Sequence, residues 1–226
     1  MKTSDFIKRL DIRFDLYALK RDWWNLEESG NQGTLSSTIV STYLEHGQIG
    51  LTHTKDCKED SKWQQGVGSL FWDERTDHQS LEFTEKDFSV VNIELKELCP
   101  YWWKVCNEMK SQFSIGRIRI MTMKPQTVYK SHHDFERRWH VPIIAPRDSF
   151  YYVRTNEINI YNDDILESSH GIGFHMPDDG FVYETEAGHW HTVVNPSHGV
   201  GGTREHSEWN STESLVRVHM MFDAVL

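Results

Sequence analysis

From Ile115 to the C-terminus, short segments rich in β-branched and aromatic residues alternate with turn residues. Ile118 and Ile120, Tyr151 to Val153, Ile158 to Tyr161, Phe181 to Tyr183, Thr192 to Val194 and Leu215 to Phe222 are such segments. Gly171-Ile-Gly173, Pro177-Asp-Asp-Gly180 and Gly188 read as turns between them. Strands this short and this numerous bury their apolar faces in a closed or two-sheet β structure. The expected fold is therefore mainly β with flanking helices, a jelly roll or double-stranded β-helix.

Residues 1–113 read as helical and irregular. Leu16, Leu19, Trp23 and Leu26 recur at helical spacing, which predicts a helix from Asp15 to Glu28 ended by Gly30-Asn31-Gln32-Gly33. Between residues 34 and 80, β-like pieces such as Ile49-Gly50-Leu51-Thr52 alternate with polar stretches. Pro100 suits a first helical position, and Trp102, Trp103, Cys106 and Met109 give an apolar face to a helix ending near Gln112. At 226 residues, with no repeat and no linker-like composition, a single domain over 1–226 is expected. Its parts would be 1–113 and a β-helix core over 114–226.

Composition narrows the partners. The net charge is −10 and no basic block is present, so nucleic acid and anionic membranes are not expected as partners. No apolar run approaches a membrane-spanning length. Three cysteines without a Cys-x-x-Cys spacing predict neither a disulfide framework nor a zinc cluster. With a charged N-terminus unlike a secretory signal, a cytoplasmic location is expected. Oligomeric state is not legible.

Ten of the thirteen histidines lie between His132 and His219, inside the β-rich part, and histidine is the commonest metal ligand. His132 and Asp134 are two apart, so on a strand they share a face while His133 points away. Far downstream, His189 and His191 are also two apart. His191, followed by Thr192-Val193-Val194, is the preferred third ligand, with His189 as a cleft-lining alternative. Two histidines and a carboxylate on one side of a metal leave positions open, as in non-haem Fe(II) oxygenases. If 2-oxoglutarate is the co-substrate, its distal carboxylate calls for arginine. Arg217 lies inside an apolar run, where a charge is costly unless paired. Simple alternation would instead put Arg217, His219 and Met221 on an outward face. Arg138 and His140, again two apart, either enter the same cavity or lie on a solvated strand face.

The ordered motifs resemble a known family. Gly116-Arg-Ile-Arg-Ile-Met-Thr-Met-Lys-Pro-Gln-Thr127, His132-His-Asp134-Phe135, Arg138-Trp-His140, His191-Thr-Val-Val-Asn195 and Arg217 six residues before Asp223 resemble the aspartyl/asparaginyl β-hydroxylases. These are Fe(II)/2-oxoglutarate dioxygenases, and the family includes bacterial proline 3-hydroxylases. The resemblance covers the last half of the chain. It implies Fe(II) on His132, Asp134 and His191, and 2-oxoglutarate held by Arg217 with Arg138 and His140. Molecular oxygen would be the second co-substrate, and an aliphatic C–H of an amino acid, free or in a peptide or protein, would be hydroxylated. Asp134 departs from the animal aspartyl hydroxylases, which have glycine there, and agrees with the proline hydroxylases. The segment between Asn195 and Leu215 is longer than in the aspartyl hydroxylases, and Gly199 to Ser214 is either a lid over the substrate or a plain surface insertion. Asn195, Arg154 and His175 are the candidate substrate contacts. Trp23, Trp24, Trp63 and Trp72 either line a cleft or belong to the core. Two rivals are a non-catalytic, cupin-like metal-binding module and a metal-dependent hydrolase or isomerase on the same scaffold.

Overall fold

The computed structural model describes residues 6–33, 39, 47–67, 83–129, 132–134, 136–154, 171–195 and 216–225. Strand β1 (Ile7–Arg13) leads into helix α1 (Leu16–Asn31), the short strands β2 (Gln48–Gly50), β3 (Thr52–His53) and β4 (Val90–Val91), and helix α2 (Pro100–Gln112). There follow β5 (Ile115–Met123), β6 (Thr127–Val128), β7 (Arg138–Ile144), β8 (Phe150–Arg154), β9 (Gly171–Phe174), β10 (Phe181–Thr185), β11 (His191–Asn195) and β12 (Arg217–Ala224). One sheet has the order β1-β10-β7-β12-β5-β2, a second β6-β11-β8-β9, and β3 pairs with β4. All these pairs are antiparallel. From β5 onward β5, β7, β10 and β12 fall in the first sheet and β6, β8, β9 and β11 in the second. That wiring is a double-stranded β-helix, the jelly roll expected from the sequence.

The larger sheet is buried on both sides. Ile118 and Ile120 of β5, Val141 and Ile143 of β7, and Val218, Met220 and Phe222 of β12 pack with Leu19 and Trp23 of α1 and Trp102 and Val105 of α2. The opposite face carries Arg117, Arg119, His140, Arg217, His219 and Asp223, all buried. It looks inward, as does the apolar cluster of Met123, Tyr151, Val153, Tyr183 and Val193 drawn from both sheets. Alternation along β12 therefore separates two buried environments, and the outward-face reading of Arg217, His219 and Met221 is corrected. Trp23 and Trp63 are core, Trp24 is partly exposed, and Trp72 lies outside the described residues.

Local physics sets the helix ends. Asp15 caps α1 by accepting the Ala18 N–H at 3.1 Å. The helix runs three residues past its expected end at Glu28, because the first residue with positive φ is Gly33 (68°) rather than Gly30. Helix α2 starts at Pro100 and ends at Gln112, as expected. Its N-cap, Cys99, makes no capping bond. Instead the buried Asp22 carboxylate of α1 accepts the N–H groups of Tyr101 (2.7 Å) and Trp102 (2.9 Å).

Two expectations fail locally. Gly171 to Gly173 is not a turn but part of β9, paired with β8. A Cβ at Gly171 would overlap the Tyr152 ring, so glycine serves close packing there. Strand β1 was not anticipated, since Ile7-Lys-Arg-Leu-Asp-Ile-Arg13 carries the charges of an edge strand. Ile158 to Tyr161 and the proposed lid, Gly199 to Ser214, lie outside the described residues.

Candidate metal centre

The first histidine ligand was expected on a strand, but β6 ends at Val128 and His132 pairs with His191 through an isolated bridge outside the named strands. The His132 N–H donates to the His191 carbonyl at 2.9 Å, and the reverse bond is 2.8 Å. The Gly188 N–H also donates to the Asp134 carbonyl at 2.8 Å, with Gly188 at φ 79°. These ties between two segments distant in sequence bring His132 and Asp134 against the start of β11. One ligand atom from each of His132, Asp134 and His191 lies within 4.8 Å of the others. His132 Nε2 is 3.7 Å from Asp134 Oδ1, and His191 Nε2 is 3.4 Å from Asp134 Oδ2. Asp134 and His191 are buried, whereas the His132 side chain is 40% exposed, so the site opens on its side.

The chemistry of this group fits a metal. The His191 Nδ1 is 2.9 Å from the His189 carbonyl. Donation there fixes the tautomer and frees Nε2 as a ligand. Burial pushes the His191 imidazole down to about 4, with Asp134 opposing, so it is neutral at neutral pH. The Tyr151 ring stacks on it at 4.6 Å. His189 settles into its alternative place: its ring packs edge-on against Phe6 at 4.8 Å, and its backbone orients His191. His133 turns away from the group and meets Trp190 at 4.9 Å.

A second group lies deeper along the same inner face. The His140 ring is 6.0 Å from Tyr151 and 5.9 Å from His219. The Arg217 Nη2 is 3.0 Å from His219 Nδ1. Burial lowers Arg217 to about 10, which leaves it charged at neutral pH. Burial, followed by the field of Arg217, drives both His140 and His219 well below the ordinary histidine range, so they are neutral. Among the described residues no carboxylate pairs with Arg217. His140 Nδ1 and His219 Nε2 are likewise without partners among them. A buried cation beside two neutral imidazoles is a site for an anion.

The remaining candidates are placed otherwise. Arg138, expected to reach the co-substrate, is engaged by Asp134 (2.8 Å) and Asp223 (2.9 Å). Asn195, expected to meet substrate, donates from Nδ2 to the Met123 and Lys124 carbonyls and ties β11 to the end of β5. His175 is exposed, with Nδ1 3.1 Å from the Ser149 carbonyl. Arg154 closes β8 opposite Gly171. Arg117, Arg119 and Asp223, which the sequence motifs contain without assigning them a role, join Arg138 in a buried charge network. The signal was there: charges alternating with isoleucine in Arg117-Ile-Arg119 need partners for the same reason as Arg217.

No family model matches the chain, and no curated protein does. Solved structures overlap it in part. A capsular polysaccharide assembling protein, CapF, from Staphylococcus aureus is 13% identical over 49% of this chain and 24% of its own, with a TM-score of 0.30. A cupin domain from Bordetella pertussis is 14% identical over 49% of this chain and 81% of its own, with a TM-score of 0.29. A 2OG-Fe(II) oxygenase family oxidoreductase from Burkholderia pseudomallei is 16% identical over 48% of this chain and 42% of its own, with a TM-score of 0.29. Overlaps this slight carry no argument about activity, and the fold stands on its strand order. Among the described residues no helix is long and apolar enough to cross a membrane.

Proposed function

We propose that the chain is an Fe(II)/2-oxoglutarate-dependent dioxygenase that hydroxylates an aliphatic C–H of an amino acid, free or in a peptide, in the manner of the aspartyl/asparaginyl β-hydroxylases. The observation that carries this reading is the convergence of His132, Asp134 and His191, with one ligand atom of each within 4.8 Å of the others. Two imidazoles and one carboxylate are the donor set of non-haem iron oxygenases, and they occupy one side of the ion. Arg217, buried and without an acidic partner among the described residues, supports a dianionic co-substrate. Its planar fork would receive the distal carboxylate, with His219 and His140 offering further donors.

Bound there, iron with 2-oxoglutarate would supply the oxidising power to insert one oxygen atom of O2 into a C–H bond as the oxo acid loses carbon dioxide. The chain's own part is placement. His191 presents Nε2 without first shedding a proton, because burial already keeps it neutral. Arg138 holds Asp134 Oδ1, which leaves Oδ2 for the metal. The stacked Tyr151 ring shields His191 from water, and the open His132 side admits substrate. The expected result is succinate release that requires Fe(II), O2 and 2-oxoglutarate, rising when the right amino acid or peptide from a panel is added. Metal uptake without consumption of 2-oxoglutarate would replace this reading with a metal-binding module.

A further inference from the structure

Asp134 does not hold its orientation alone. The Arg138 Nη1 meets its Oδ1 at 2.8 Å, and the Arg138 Nε meets Asp223 Oδ1 at 2.9 Å. Asp223 Oδ2 in turn is 2.9 Å from Arg119 Nη2 and 3.3 Å from Arg117 Nε, and Arg117 Nη2 is 2.7 Å from Glu85 Oε1. The backbone builds this in: Asp223 and Arg138 are direct cross-strand partners on β12 and β7. A shift in the β12–β5 register between Phe222 and Ala224 leaves Asp223 beside both arginines of β5. Glu85 comes from a helical turn in the N-terminal half. It approaches β5 so closely that a Cβ at Gly116 would overlap its backbone.

We propose that Asp223 is a positioning residue for the metal centre, acting through Arg138 to fix the Asp134 carboxylate with one oxygen free. The inference rests on the reading of His132, Asp134 and His191 as metal ligands. Its physical logic is twofold. Asp134 follows no regular strand, so its side chain needs an external clamp, and a guanidinium held by one atom only would swing. Arg138 also competes with a metal for the Asp134 charge, and Asp223 offsets that pull. Among the described residues, Glu85, Asp134 and Asp223 face Arg117, Arg119 and Arg138 in this network, and each acid meets at least one guanidinium. Removing Asp223 leaves Arg138 as a buried cation whose nearest recourse is Asp134 itself.

The test is a titration of the metal-free protein with Co(II), read by its visible absorption, in four proteins: wild type, Asp223→Asn, Arg138→Gln and the double variant. The expected loss for Asp223→Asn is about 10- to 100-fold in Co(II) affinity, as for other groups that orient a ligand from behind. Asp223→Glu, which keeps the charge, should recover part of it. In the Arg138→Gln background Asp223→Asn should cost nothing further, because the link through which Asp223 acts is already gone while all three ligands remain. An equal loss in both backgrounds, or a fall in thermal stability with Co(II) affinity unchanged, would make Asp223 merely structural and overturn the proposal. A wild type that binds no Co(II) would instead sink the metal reading beneath it. Should Asp223→Asn not fold, Asp223→Asn with Arg119→Gln keeps the charges balanced and carries the same test.

Discussion

At the scale of single residues, the metal centre depends on which atoms remain free once hydrogen bonds are assigned. His191 gives Nδ1 to the His189 carbonyl and keeps Nε2, while the His189 side chain is spent on Phe6. The expected outcome is therefore asymmetric. His191→Ala should abolish stoichiometric Fe(II) or Co(II) binding, measured by metal content after gel filtration. His189→Ala, which keeps the carbonyl, should retain it. Retention by His191→Ala with loss in His189→Ala would reverse the ligand assignment. The spacing of two between His132 and Asp134 made this pair legible, although the two converge through one bridge to His191 rather than on a strand. The task of Arg138 was not legible. Spacing alone cannot separate an arginine that meets a co-substrate from one clamped between Asp134 and Asp223.

At the scale of elements, the helices pack on the apolar face of the larger sheet, and α2 owes its start to a neighbour. Asp22 caps α2 from α1 and is itself fully buried. Asp22→Ala leaves two N–H groups unmet and should cost about 1 to 3 kcal/mol in chemical denaturation. Metal affinity should stay unchanged, since α2 lies on the side of the sheet away from the ligands. No loss of stability would mean that another acceptor covers the helix start. Helix α2 was legible to the residue because Pro100 marks its first turn and its apolar positions recur at helical spacing. Strand β1 was not, because its pairing with β10 is set some 170 residues away by sheet closure rather than by its own charged alternation. The charged faces of β12 and β7 were open to a solvated reading for the same reason. Alternation tells that two faces differ, and only the second sheet tells that both are buried.

At the scale of the whole molecule, a jelly roll with an inner face of histidines and arginines has a pH signature. Burial, with the field of Arg217, holds His140 and His219 well below the usual histidine value, and burial pushes His191 to about 4. Histidines in the unfolded chain titrate near 6.5, so between about pH 6.5 and 4 the unfolded state takes up protons that the folded state refuses. Stability of the metal-free protein should accordingly fall as pH drops through that window. Each such imidazole contributes a slope of up to about 1.4 kcal/mol per pH unit. Burial alone would raise Asp223, but Arg119, Arg138 and Arg117 hold it at about 2. Its contribution is present above the ordinary carboxylate range and disappears only in stronger acid. Thermal unfolding at pH 7.5, 6 and 5 checks the sign; a melting temperature flat across those values would contradict neutral buried imidazoles. The proposed chelation of iron and a 2-oxo acid by His132, Asp134, His191 and Arg217 has a more direct test. Fe(II) and then 2-oxoglutarate are added to the metal-free protein without oxygen, and the visible spectrum is recorded. The expected result is the weak charge-transfer band of a chelated 2-oxo acid, absent in Asp134→Ala and needing far more 2-oxoglutarate in Arg217→Ala. Iron binding with no such band at saturating 2-oxoglutarate would contradict it.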